Sequence, residues 1–386
     1  VPLHFRIIKI IKIIKIIKIM RKSRWLAPWK DSFERPVLYH VVTRVVDRRF
    51  AFGKEEKEQF RTYMRMYENF SGCRVLSYCV MCNHVHLLLE VPPMQEGGLS
   101  DEELLKRLKA IYTKAYVAGV AKELAEAREK MAAGLGGEKW VAEVHARYAY
   151  RMHDLGEFMK VLLLRFSRWF NTKHKRTGAL WESRYKSVLV EEGITAQTMA
   201  AYIDLNPVRA GMVADPAEYR WSSYGEAMGG GARGDGAKAR AGLVRAMLAH
   251  KGGGADPKLW AKRIAREYRM MLLEEGKEQL EVVINPEGEQ DLKVVKKGMK
   301  RAVADEELAR LERGRNVALR KMLRFRVRYF TDGAAIGSRA FVDEVFRDSR
   351  EHFGPNRKTG ARKLRGAGSA AAGMIWSARD LRKEIG

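Results

Sequence analysis

At 386 residues the chain is long enough to bury a substantial core and to hold about two domains of ordinary size. Its 73 lysines and arginines against 47 acidic residues give a formal charge of +26, a surface that attracts phosphate backbones. Three cysteines, Cys73, Cys79 and Cys82, exclude a disulfide framework and fit a reducing cytoplasm, and no secretory cleavage pattern is visible.

The chain opens on Ile-Ile-Lys repeats from Ile7, a low-complexity tract whose period of three matches neither a strand nor a helix. It reads either as a basic arm for a membrane surface or DNA, or as a translated tandem repeat ahead of a start at Met20. The second reading is adopted, so residues 1–19 are set aside. From Val37, VLYHVVTRVVDRRF is β-branched and roughly alternating, a strand. Lys54 to Phe70 carries apolar residues at helical spacing. CRVLSYCVM and HVHLLLEV then form two adjacent strands joined near Asn83.

After the Pro- and Gly-containing stretch at Val91–Ser100 the pattern becomes helical and charged. Ser100 followed by Glu103 forms a capping signal, and a Gly-rich break falls at Ala132–Lys139. Residues 97–150 therefore read as a helical insertion. The core resumes with the amphipathic helix LGEFMKVLLLRFSRWFNTKH, the strand RYKSVLVEE and the helix TAQTMAAYIDLNPVRAG, stopped by Pro207 and Gly211. With the insertion removed, the order is that of an α+β, ferredoxin-like split βαβ sandwich, an antiparallel sheet with helices, plus one added helix. Residues 20–227 form this domain. The Gly/Ala-rich run 228–242 reads as a linker. Residues 243–386 read as a basic, mainly helical region, with two short helices around a Gly-containing turn that fit a helix-turn-helix-like DNA-binding module or a plain helical cap.

Two histidines, His84 and His86, stand one residue apart in strand-like sequence, so they share a face with Val85 behind them. Two imidazoles on one face can hold one divalent ion. Cys79 and Cys82 suggest a zinc site instead. Structural zinc, however, draws a second ligand pair from a distant segment, and strand parity puts Cys79 on the face opposite Cys82, His84 and His86. A metal held by two histidines keeps open positions, and in a basic protein a phosphodiester oxygen is the natural occupant. Tyr202 could supply a nucleophile, and Asn206, one helical turn later, an amide oxygen for the metal. The bland alternative is a core tyrosine.

MCNHVHLLLE, RTGALWESRYKSVLVEE, AAYIDLNPVRAG and YRWSSYGEA, in that order, resemble the successive motifs of the REP-associated tyrosine transposases and the single-tyrosine HUH transposases of insertion sequences. The resemblance covers most of Val37 to Gly225. The family's His-hydrophobic-His falls on His84, Val85 and His86, its nucleophile on Tyr202, and its third, polar metal-site residue on Asn206. Where the family often has a proline or small residue before Asn-His, this chain has Cys82.

The resemblance implies a metal-dependent single-stranded DNA endonuclease and strand transferase acting at or near hairpin DNA. His84, His86 and Asn206 would hold Mg2+ or Mn2+, and Tyr202 would form a 5′-phosphotyrosine. Relatives act as monomers or homodimers, in the cytoplasm and on the nucleoid, with no membrane role. A catalytically inactive repeat-DNA-binding protein on the same fold is the alternative. A replication nickase is disfavoured because no Gly-x-x-x-x-Gly-Lys loop is present.

The segment RFSRWFNTKHKRTGALWESRYK interleaves cations with aromatics, as a single-strand binder requires. Phe166, Trp169 and Phe170 read as core positions of the helix. Lys173, Lys175, Arg176, Trp181, Arg184 and Lys186 are the expected DNA contacts.

Overall fold

The computed structural model describes residues 25–93, 96–229, 235–248, 256–260, 263–284, 290–312, 333–364 and 375–378. The Ile-Ile-Lys tract and Met20 lie outside them. The chain runs through β1 (Val37–Arg44), α1 (Lys54–Ser71), β2 (Arg74–Val80) and β3 (His84–Val91). After an insertion of three helices, α2 (Asp101–Leu108), α3 (Lys114–Ala132) and α4 (Glu138–Ala149), it continues with α5 (Leu155–Lys173) and β4 (Lys186–Val190). The four strands lie in the order β2-β3-β1-β4, each antiparallel to its neighbour. This is the expected split βαβ sandwich.

Period-two alternation sorts the strand residues onto two faces. Val37, Tyr39, Val41, Val85, Leu87 and Leu89 face α1 and α5 and the larger apolar core. There Phe60 and Phe166 meet edge to face with ring centroids 5.1 Å apart. Asp154 starts α5 by accepting from the Glu157 N–H at 2.7 Å, and Gly72 ends α1 at φ 76°, a conformation suited to a residue without a Cβ. The Ser100 hydroxyl caps α2 by accepting from the Glu103 N–H at 3.1 Å, as the sequence signal predicts.

Leu38, Leu76, Cys79, Leu88, Val188 and Val190 face the other way, toward a second core closed by three helices. These are α6 (Ile194–Asp204), α8 (Ser223–Gly229) and α9 (Asp235–Met247); a single turn, α7 (Asn206–Arg209), follows α6. The residues expected as a linker over 228–242 are therefore helical from Asp235, and the reason is packing. A Cβ on Gly242 would stand 2.4 Å from the Val75 carbonyl oxygen, so α9 needs glycine to lie directly on β2.

The region beyond is less helical than its composition suggests. Helix α10 (Arg263–Gly276) is followed by an antiparallel pair, β5 (Gln279–Ile284) and β6 (Gln290–Lys296), and by α11 (Arg301–Glu312). Most of the first of the two short helices expected near the Gly-containing turn, residues 328–332, lies outside the described residues, and Ala335–Gly337 forms a strand, β7, which pairs in parallel with β4. Helix α12 (Arg339–Asp348) follows, and β8 (Arg362–Lys363) and β9 (Trp376–Ala378) complete a seven-stranded sheet, β2-β3-β1-β4-β7-β9-β8. Glu191, just past β4, accepts from the Ser338 hydroxyl at 2.8 Å and ties this extension to the first four strands. Among the described residues no helix is long and apolar enough to cross a membrane.

Candidate histidine and tyrosine site

His84 opens β3 and His86 follows on the same face, with ring centroids 5.0 Å apart, while Val85 is buried against the larger core. Their face is the one covered by α6. Cys79 stands directly across from His86 in the β2–β3 ladder and so shares its face. The parity argument that put it on the opposite face fails because the turn at Met81–Asn83 interrupts the strand. All three cysteines are free thiols, and among the described residues no three His, Cys, Asp or Glu side chains form a metal-holding group.

A third histidine joins the pair. His40, on β1, is fully buried and places its Nε2 3.0 Å from the Nδ1 of His86, the two rings lying parallel within 5°. In sequence it is a polar residue set among Tyr39, Val41 and Val42, and only the pairing of β1 with β3 brings it to His86. The available signal was its parity: it alternates with Tyr39 and Val41 and so had to face the same way as Leu38.

Tyr202, in the last turn of α6, is 2% exposed. Its ring stands edge-on to both His86 and His40, at centroid distances of 5.8 and 6.0 Å. Asn206, on α7, donates its side-chain N–H to the Tyr202 and Ile203 carbonyls at 3.0 and 3.1 Å. The next turn also carries Arg209, whose guanidinium lies over the Tyr202 ring at 5.2 Å and reaches the same Tyr202 carbonyl. Asp204 anchors the helix from behind, accepting from the Tyr268 hydroxyl of α10 at 2.6 Å and from the Tyr224 N–H at 2.9 Å.

Burial sets the protonation states. It lowers His84 to about 4, helped by the charge of Arg44, and holds His86 well below the ordinary imidazole value, so both rings are neutral near pH 7. Burial pushes the Tyr202 phenol up to about 12, against the pull of Arg209 and Arg44 toward the phenolate. Asp204 rises to about 7 for the same reason, despite the hydrogen bonds it accepts.

Two loops meet at the histidine end of the sheet. The loop after α5 bridges Trp181 to Val45, and the Glu182 N–H donates to the Arg44 carbonyl at 2.9 Å. On it Lys175 and Arg184 are exposed and Arg176 half-buried, and Lys186, which opens β4, is exposed as well. Lys173 is bound to Glu56 at 2.8 Å, and Trp181 is half-buried against Phe52, Phe60 and Phe166. The structure brings Tyr202 against His86, which shares its face of the sheet with His84, and leaves Asn206 one turn beyond Tyr202 with its side-chain nitrogen on helix carbonyls. It leaves Lys175, Arg184 and Lys186 facing solvent, pairs the exposed Lys173 with Glu56 and packs Trp181 inward.

The local hydrogen bonds decide which donor atoms stay open. His84 has its Nδ1 2.6 Å from the Asn83 amide oxygen, which holds the proton on Nδ1 and the lone pair on Nε2. Asn206 commits its nitrogen to helix carbonyls, so its oxygen is the end that can ligate.

The mainly antiparallel sheet thus carries His84 and His86 on the face covered by the helix that bears Tyr202. Residues 35–133 match the family model described as "Transposase IS200 like". The match takes in both histidines and stops short of Tyr202 and Asn206. A solved structure described as "Structure of the REP associates tyrosine transposase bound to a REP hairpin" is similar at 10% identity and a TM-score of 0.30, over 55% of this chain and 87% of that chain. Among curated proteins none matches.

Proposed function

We propose that the chain is a metal-dependent single-stranded DNA endonuclease and strand transferase that acts at or near hairpin DNA through Tyr202. The observation that carries this reading is the edge-on packing of Tyr202 against His86 of the same chain, 5.8 Å between centroids, on the face that also holds His84. His84, His86 and Asn206 would hold Mg2+ or Mn2+. Bound there, the ion would polarise a phosphodiester and offset the charge that develops on its oxygens.

The chain's own groups do the rest. Tyr202 Oη attacks phosphorus in line, forming the O–P bond as the bond to the 3′ oxygen breaks. The phenol loses its proton, the departing 3′ oxygen gains one, and the strand is left as a 5′-phosphotyrosine and a free 3′-hydroxyl. Arg209, over the ring, and Arg44 favour the phenolate that burial disfavours. Attack by another 3′-hydroxyl reverses the step and joins strands, with no nucleotide cofactor, because the phosphotyrosine conserves the bond energy. Lys175, Arg176, Arg184 and Lys186 supply the phosphate-facing charge beside the site.

The test incubates full-length protein with labelled hairpins that carry unpaired flanks, in Mg2+ or Mn2+, and looks for a denaturant-resistant protein–DNA adduct. An adduct that requires the metal and Tyr202 supports the reading. Binding with no adduct across many hairpins and both metals would leave a repeat-DNA-binding protein in its place.

A further inference from the structure

The loop between β1 and α1 ends in a feature that the chemistry above does not use. Phe50 is 85% exposed, the most exposed of the large apolar side chains among the described residues. The hydrophobic effect disfavours this relative to burial. Arg48 and Arg49 precede it, both exposed, and the exposed Arg44 lies at the root of the loop.

The tip is not loose. Asp47 and Arg48 adopt left-handed backbone at φ 55° and 54°, which a non-glycine residue holds only when its surroundings impose it. Those surroundings are specific. The Asn83 side-chain amide donates to the Arg48 carbonyl at 2.9 Å, and the Ala51 N–H donates to the Arg49 carbonyl at the same distance. Phe52, two residues beyond, is driven into the aromatic core beside Phe166, Phe170 and Trp181, and its N–H donates to the Cys82 carbonyl at 2.9 Å. Asn83 is the residue that also holds His84 at 2.6 Å. One side chain therefore fixes both the aromatic tip and the first histidine.

We infer that Phe50, flanked by Arg48 and Arg49, is a stacking platform for an unpaired nucleobase of the DNA strand whose phosphate lies at His84 and His86. This rests on the nuclease reading and specifies how that site grips its strand. An aromatic face takes any base, while the two arginines that precede it in the chain take the adjoining phosphates. A rigid mount loses little entropy on binding. A paired base offers no face to the ring, so the platform selects an unpaired flank over a continuous duplex.

The test compares wild type, Phe50→Ala and Phe50→Trp in full-length protein, binding a hairpin whose unpaired flank carries 2-aminopurine at successive positions, beside a blunt duplex of the same stem. The expected result is quenching of 2-aminopurine at one flank position by wild type and the Trp variant. Phe50→Ala should lose the quenching and bind about tenfold more weakly. Placing an abasic residue at the quenched position should weaken wild type to the same extent and leave Phe50→Ala unchanged, and blunt-duplex binding should be the same for all three proteins. Unchanged flank binding by Phe50→Ala, or equal losses on flank and duplex, would overturn the inference while leaving the Tyr202 adduct intact. Failure of wild type to bind any hairpin would overturn the nuclease reading and this inference with it.

Discussion

The two faces of the sheet rest on the same alternation of residues and carry different burdens. Toward α1 and α5 the strands present Val37, Tyr39, Val41, Val85, Leu87 and Leu89, an almost wholly apolar layer backed by Phe60 and Phe166. Toward α6 they present Leu38 and Leu88 together with His40 and His86, polar groups at positions that an ordinary core would fill with aliphatics. Buried imidazoles cost stability unless their nitrogens are bonded, and the 3.0 Å contact between them limits that cost. One face therefore secures the fold, and the other carries the chemistry at some expense in stability.

That division can be broken by substitution, and the largest effect belongs to the nucleophile. Tyr202→Phe keeps the ring and its edge-on packing, so folding should be preserved while adduct formation on labelled hairpins falls by more than about 10³-fold. A residual adduct of comparable yield would show that another side chain attacks. Phe166→Ala should do the opposite. Losing a fully buried aromatic costs about 3–5 kcal/mol, read as a drop in denaturant midpoint, and a nearly unchanged midpoint would show the first face to be less demanding than it looks.

Smaller effects sharpen the boundary. If His40 accepts the His86 Nδ1–H, the lone pair of His86 stays on Nε2, where it can ligate. His40→Leu should then weaken Mn2+ binding, followed by titration calorimetry, about tenfold. His40→Gln, which can still accept, should recover most of it; equal loss in both variants would reduce His40 to packing. The smallest effect is an expected constancy. Because burial holds His84 near 4 and His86 well below the ordinary imidazole value, Mn2+ affinity should be nearly unchanged between pH 7.5 and 5.5 and fall only as the pH approaches 4. A loss that begins at pH 6.5 would mark these as ordinary solvated imidazoles.

The split βαβ order was legible because every step of it is local: alternation in β1, a 3.6-residue period in α1 and α5, and a cap at Ser100 that the structure reproduces. His84 and His86 were legible as a pair by parity within one strand. Their relation to Cys79 was not, since a turn at Met81–Asn83 separates the strands and resets the faces. His40 escaped notice because its partner lies on another strand. Helix α9 was mistaken for a linker because glycine and alanine read locally as flexibility, whereas here they permit backbone contact with β2. The strand Ala335–Gly337 spans three residues, too few to show any period, and it exists only through its pairing with β4.

The junction of β4 with β7 has a bearing on how the molecule is made. Ser338 and Glu191, which join across it, are 147 residues apart in the chain. A ribosome adding about 5–20 residues each second needs roughly 7–30 s to travel that distance. For that interval the nascent polypeptide presents the edge of β4 without its neighbour, a row of open amide and carbonyl groups that another strand could occupy. Synthesis that stalls in this window would leave a sheet ready to pair with the wrong chain.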